Sequence, residues 1–100
     1  MAATAKSSSS SIIRHDVINR IGGTPLIELT SFSQKNVKLY AKLEWFNPFG
    51  SVKDRAALWM IRHAEAEGIL KKDKSIIIEP TSGNTGIALT GIATVLGYKV

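Results

Sequence analysis

The sequence predicts an α/β fold built from βαβ units on a parallel sheet. Strand-like and helix-like runs alternate along the chain, and strand–helix–strand order at these lengths places helices over a parallel sheet. The run Ser75–Ile78 (SIII) is β-branched and uninterrupted, as expected of a strand covered on both faces. The composition agrees: 44% of the 100 residues are hydrophobic and the formal net charge is +5, enough apolar surface to form a core over most of the length.

The elements follow in order. Residues 1–11 (MAATAKSSSSS) are Ser-rich and carry no acidic residue, so they are expected to form a disordered tail. A transit peptide would need several Arg and an amphipathic face, and only Lys6 precedes Arg14. A short helix is expected over Asp16–Ile21, with Asp16 as N-cap and Gly22–Gly23 as its stop. Leu26–Leu29 reads as a short strand, and Val37–Trp45 alternates apolar and polar residues as a half-buried strand does. Asn47–Gly50 breaks it.

A helix then starts at Ser51. Ser51 is a suitable N-cap and Asp54 stands three residues on, as in a capping box. Val52, Ala56, Trp59, Met60, Ala64 and Ala66 recur at helical spacing up to Gly68, the expected C′ residue. After the Ser75–Ile78 strand, Thr81–Gly86 is a turn-rich loop. Ile87–Leu96 is apolar nearly all round, so that helix is expected to be buried on most sides. Gly97 ends it and Tyr98–Val100 begins another strand. These strands are too few for a finished sheet. Residues 12–100 therefore read as the N-terminal portion of a larger domain.

Several function classes fall away. No apolar run approaches the roughly 18–20 residues that span a bilayer, which excludes a transmembrane helix. The sequence has no Cys, so it has neither disulfides, nor thiolate metal ligands, nor a cysteine nucleophile; this fits a reducing compartment and a cytoplasmic location. The pI near 9.8 invites a nucleic-acid reading, but the cations are scattered. The densest group, Lys71, Lys72 and Lys74, is broken by Asp73 and reads as a solvated turn.

Two loops carry candidate chemistry. In Asn47–Arg55 (NPFGSVKDR), Lys53 falls in the first turn of a helix, among free N–H groups and the positive end of the dipole. On position alone the plain reading, a lysine that extends to solvent, is the stronger. The functional reading is a lysine whose ammonium is disfavoured relative to the free amine, which can form a Schiff base with an aldehyde cofactor. In Thr81–Gly86 (TSGNTG), a strand–turn–helix loop rich in Gly, Ser and Thr offers N–H and hydroxyl donors to an anion at the ligand-facing edge of a parallel sheet. The plain reading of that loop is a tight turn capped by Asn84 or Ser82.

Taken together, NPFGSVKDR followed by EPTSGNTG, with Ile21–Leu26 (IGGTPL) before them, resembles the fold-type II pyridoxal-phosphate enzymes of tryptophan synthase β-like fold. Within them the sequence is most similar to the cysteine synthase and cystathionine β-synthase branch. The resemblance runs over about Val17–Val100. Asp54 after the lysine, and Thr85–Gly86 after the asparagine, separate it from the threonine dehydratases, which carry S-F-K-x-R and S-x-G-N-H-A.

The resemblance implies roles for individual residues. Lys53 matches the lysine that binds pyridoxal 5'-phosphate covalently and moves the substrate's Cα proton. Asn84 matches the residue that hydrogen-bonds the cofactor's ring 3-oxygen. Thr81, Ser82, Gly83, Asn84 and Thr85 match the loop that grips the substrate's α-carboxylate. Asp54 and Arg55 read as structural neighbours of the lysine. Phe49 departs from the pattern, since many members carry a small residue in N-P-x-G-S.

The implied reaction is β-replacement on an activated serine, O-acetylserine or similar, by a sulfur nucleophile to make cysteine. The implied assembly is a homodimer that contacts neither nucleic acid nor membrane. Two alternatives stand beside it: condensation of serine with homocysteine, as in cystathionine β-synthase, and a truncated, non-catalytic chain that binds a partner. The cofactor's phosphate loop and its pyridine-nitrogen partner are expected beyond residue 100, so the 100-residue chain alone is expected to be inactive.

Overall fold

Asp16 opens the part of the chain that the structure, a computed structural model, describes: residues 16–100. The expected tail over 1–11 lies outside the described residues. The Asp16 side chain accepts the Ile18 N–H at 3.1 Å and caps a 3-10 turn, Val17–Arg20, as the sequence predicts. Gly22 and Gly23 then leave helical space with positive φ.

Strand β1, Leu26–Glu28, pairs antiparallel with β2, Tyr40–Lys42, setting Leu26 opposite Lys42 and Glu28 opposite Tyr40. The strand expected over Val37–Trp45 is therefore paired only at its centre. Val37 bridges instead to Gln34, and Glu44–Phe46 winds into a 3-10 turn. The cause is twofold: β1 is short, and the Glu44 side chain is engaged by groups far away in sequence, described below.

Helices α1, Lys53–Ala66, and α2, Asn84–Leu96, pack against each other and form most of the core. That core holds Ala57 and Ile61 from α1, Ala88, Leu89, Ile92 and Ala93 from α2, with Ile18 and Tyr98 closing its ends. The buried stripe of α1 is thus Asp54, Ala57 and Ile61, an i, i+3, i+7 row. The expected stripe differs: Val52, Trp59 and Met60 are exposed. The helix carries apolar residues on two faces, and only one of them meets α2. Likewise α2 is buried on one face and not on most sides, since Ile87 and Val95 remain exposed among the described residues. Gly68 and Gly97 follow the two helices with positive φ, as expected of C-terminal stops.

The expected parallel sheet of βαβ units is not what the described residues form. Their one named sheet is the antiparallel β1–β2 pair. Ser75–Ile78 contributes a single parallel bridge, Ile76 to Lys99, closed by the Ile77 N–H on the Lys99 carbonyl at 2.9 Å. A ladder needs neighbours in register, and these two segments have only each other among the described residues. Ile76, Ile78 and Val100 accordingly keep exposed side chains. No helix among the described residues is long and apolar enough to cross a membrane.

Candidate functional site

Lys53 is the first residue of α1 and is exposed. Ser51 orders its backbone, the Oγ accepting the Lys53 N–H at 3.1 Å. The cap position itself falls on Val52, without a side-chain bond, one residue later than predicted. The Lys53 ammonium nitrogen has no hydrogen bond or ion pair among the described residues.

Asp54 does not close a capping box on Ser51. Its Oδ2 reaches further back and accepts the Phe49 N–H at 2.6 Å. The residue is wholly buried, and Oδ1 has no partner among the described residues. Loop 47–50 is also turned upon itself, with the Gly50 N–H on the Asn47 carbonyl at 2.9 Å.

A polar network holds this loop from the other side. The Arg55 guanidinium donates to both carboxylate oxygens of Glu44, Nε to Oε2 at 2.8 Å and Nη2 to Oε1 at 3.1 Å, in the forked geometry that suits Arg to carboxylates. The Thr24 hydroxyl donates to Glu44 Oε1 at 2.6 Å. Buried Asn47 donates to Glu44 Oε2 at 2.8 Å and to its carbonyl at 2.7 Å, while its own Oδ1 accepts the Gly22 N–H at 2.8 Å. Lys42 Nζ adds a bond to the Thr24 carbonyl at 2.6 Å. The hydrogen bonds from Arg55, then from Thr24, pull the Glu44 carboxyl down to about 2, and Glu44 in turn raises Arg55. The Ile21–Leu26, Asn47–Gly50 and Lys53–Arg55 segments are thereby tied to one carboxylate. Sequence reading did not single out Glu44. Its one signal is position, an acidic residue near the end of the expected Val37–Trp45 strand and three residues before Asn47-Pro48.

The second half of the site is the entry to α2. Thr81 Oγ1 accepts the Gly83 N–H at 3.3 Å and the Gly86 N–H at 3.1 Å. The capping hydroxyl is therefore that of Thr81, and neither Ser82 nor Asn84 fills the role. The approach depends on Gly86, because a Cβ there would stand 2.4 Å from Thr81 Cγ2. Ile87 N–H bonds the Gly83 carbonyl. The N–H groups of Asn84 and Thr85 are left without an acceptor among the described residues, and they sit at the positive end of the α2 dipole. A shallow, open concavity runs from Thr81–Gly83 along α2 through Gly86, Ile87 and Thr90 to Gly91. The free N–H groups of Asn84 and Thr85, at the start of the helix, suit a small anion.

No hydrogen bond joins Lys53 to the Thr81–Thr85 loop among the described residues. They are the opening residues of two helices packed together, and the loop before Lys53 reaches α2 through Phe49. That ring lies against Gly91, where a Cβ would stand 2.1 Å from Phe49 Cε1. At the far ends of the helices, the Tyr98 hydroxyl donates to Glu65 Oε1 at 2.8 Å.

Comparison with known proteins places these residues in context. The family model for "Pyridoxal-phosphate dependent enzyme" matches residues 17–100. Cystathionine beta-synthase of Saccharomyces cerevisiae is 46% identical over 97 residues, which is 94% of this chain and 19% of the yeast protein. Cysteine synthase of a Flavobacterium species is 51% identical over 85 residues, 85% of this chain and 27% of that protein. Among solved structures, O-acetyl serine sulfhydrylase isoform 3 of Entamoeba histolytica superposes with a TM-score of 0.78 at 46% identity, covering 88% of this chain and 28% of the other. The chain thus spans about a fifth to a quarter of the length of the curated relatives it matches.

Proposed function

The chain belongs to the pyridoxal-phosphate dependent enzyme family, and from that premise we propose that the protein of which it forms part makes cysteine by β-replacement on an activated serine such as O-acetylserine, with sulfide as nucleophile. Residues 12–100 are the N-terminal portion of its catalytic region, in which the Ile76–Lys99 bridge is one rung of a parallel sheet. The observation that carries the reading is the pairing of an unpartnered Lys53 amine at one helix entry with the unfilled N–H groups of Asn84 and Thr85 at the next.

These residues fit the cofactor. An amine free of ion pairs can join an aldehyde, and a Gly-rich helix entry with spare donors can hold a carboxylate. When bound, pyridoxal phosphate supplies the electron sink that breaking a Cα–H bond requires. Lys53 Nζ would hold the cofactor through its aldehyde and, once released as a free amine, would accept the Cα proton and later return it. Asn84 would donate a hydrogen bond to the cofactor's ring 3-oxygen. Thr81, Ser82, Gly83, Asn84 and Thr85 hold the substrate's α-carboxylate, which fixes Cα beside Lys53. Ser51, Asp54 and the Glu44–Arg55 pair hold the segment on which Lys53 stands. The working form is a cytoplasmic homodimer that binds neither nucleic acid nor membrane, and the 100-residue chain alone is inactive.

A second reading, condensation of serine with homocysteine, is supported by the similarity to the yeast cystathionine beta-synthase. The deciding experiment offers the full-length protein O-acetylserine with sulfide, and separately serine with homocysteine, and follows cysteine and cystathionine. Cysteine from the first pair at a rate well above cystathionine from the second is expected, and the reverse overturns the proposal in favour of the second reading.

A further inference from the structure

Phe49 stands where the sequence departs from the pattern it resembles, and the structure shows what its ring meets. Cε1, Cδ1 and Cζ lie 2.1, 2.4 and 2.6 Å from the point where a Cβ on Gly91 would be. The ring therefore occupies the place of a side chain on α2, and it does so only because residue 91 has none. Ordinary Cβ contacts begin at about 3.4 Å, so placing a Cβ at position 91 would push the ring away by about an ångström.

Both ends of this contact belong to the candidate site. On one side, the Phe49 N–H is held by the wholly buried Asp54, the residue after Lys53. On the other, Gly91 lines the same concavity as Thr81, Ser82 and Gly83. About seven residues of helix, roughly 10 Å, separate Gly91 from the entry of α2. The contact thus joins the loop that leads into Lys53 to the helix that carries the anion donors. No hydrogen bond joins Lys53 to that loop among the described residues, so their separation is set by such packing.

We infer that Phe49 and Gly91 form a size-matched positioning pair that sets the distance between the Lys53 amine and the Thr81–Thr85 loop. The pair acts through the two segments it joins. The inference rests on the roles proposed above for Lys53 and the loop. A displacement of about 1 Å between catalytic groups can cost up to a hundredfold in rate, which gives the effect its expected scale.

The test uses the full-length holoenzyme with glycine as probe, an amino acid that has an α-carboxylate but no β-substituent to lose. Its dissociation constant is read from the cofactor's absorbance. Cofactor affinity of the apoprotein and thermal unfolding are measured in parallel. Gly91→Ala is expected to weaken glycine binding about tenfold or more and to lower kcat with it. Phe49→Ala, which only removes bulk and so folds even if Gly91→Ala does not, is expected to weaken glycine binding by a similar factor. In Phe49→Ala/Gly91→Ala the new methyl has room, and glycine affinity is expected to recover above that of Gly91→Ala alone. Unchanged glycine affinity in Phe49→Ala, with only the melting temperature lowered, would overturn the inference and leave a packing contact. A double variant no better than Gly91→Ala would overturn it as well. A wild-type enzyme that takes up cofactor elsewhere than Lys53, or binds no glycine, overturns the roles beneath it, and the two failures are thereby distinguished.

Discussion

The wholly buried carboxylate of Asp54 accepts the backbone N–H of Phe49 at 2.6 Å through one oxygen and leaves the other without a partner among the described residues. A buried carboxylate with a single hydrogen bond is costly, and this one stands directly after Lys53. The bond it makes closes the loop from Phe49 back onto the first turn of α1. Asp54→Ala is expected to leave the Phe49 N–H unsatisfied and to lower stability by about 1–3 kcal/mol. Amide exchange at Phe49 in the full-length protein should quicken in the same variant. An unchanged exchange rate would show that the bond does not hold the loop.

Glu44 makes stability depend on acid. Its folded-state value is depressed, from 4.5 to about 2, first by the Arg55 hydrogen bonds and then by Thr24. A depressed carboxylate stabilises the fold above its unfolded value, and that contribution drains away as pH falls from about 4.5 towards 2. Glu65 is also depressed, mainly by the Tyr98 hydroxyl, so wild type alone does not isolate the effect. Glu44→Gln should flatten the fall of melting temperature across that window relative to wild type. Parallel curves for the two proteins would contradict the assignment.

Much of this was legible in the sequence, and the failures share a cause. Local rules found the Asp16 cap, the first helix to within two residues of its start, and the glycine stops at Gly68 and Gly97. They missed what long-range partners decide. Val37–Trp45 alternates like a full strand, but Glu44 is drawn into bonds with Thr24 and Arg55, 20 and 11 residues away, and its turn leaves the ladder. The second helix begins at Asn84, three residues before its apolar run, because Thr81 reaches five residues along to Gly86. The apolar stripe of α1 was read from the wrong face, since Val52, Trp59 and Met60 are as apolar as Ala57 and Ile61. Both candidate loops were visible as motifs. The contact of Phe49 with Gly91 was not, because a glycine inside a helix carries no sign of what approaches it.

Lys53 is expected to be the one covalent attachment point of the cofactor. Borohydride reduction of the full-length holoenzyme, followed by peptide mapping, should place the reduced cofactor there. Lys53→Ala should abolish both that attachment and turnover while leaving the fold intact, because the side chain has no partner among the described residues to lose. Reduced cofactor on another lysine would remove Lys53 from the mechanism.

The two threonines of the anion loop are expected to separate capping from binding. Thr81 Oγ1 already accepts the N–H groups of Gly83 and Gly86, so Thr81→Ala removes a helix cap and should lower stability by about 0.5–2 kcal/mol. Thr85 has no side-chain bond among the described residues, so Thr85→Ala should leave the melting temperature nearly unchanged. If its hydroxyl donates to a bound carboxylate, the loss appears only when an amino acid is present. A hydrogen bond to a charged group is worth about 1.5–3 kcal/mol, or roughly ten- to a hundredfold in affinity. The measurement is a spectral titration of the full-length holoenzyme with O-acetylserine, with thermal unfolding alongside, for wild type and both variants. The expected pattern is a stability loss confined to Thr81→Ala before ligand is added, and a weakened titration in Thr85→Ala. Thr85→Ala with an unchanged titration midpoint would take the carboxylate away from that hydroxyl and leave the backbone N–H groups of Asn84 and Thr85 to hold it.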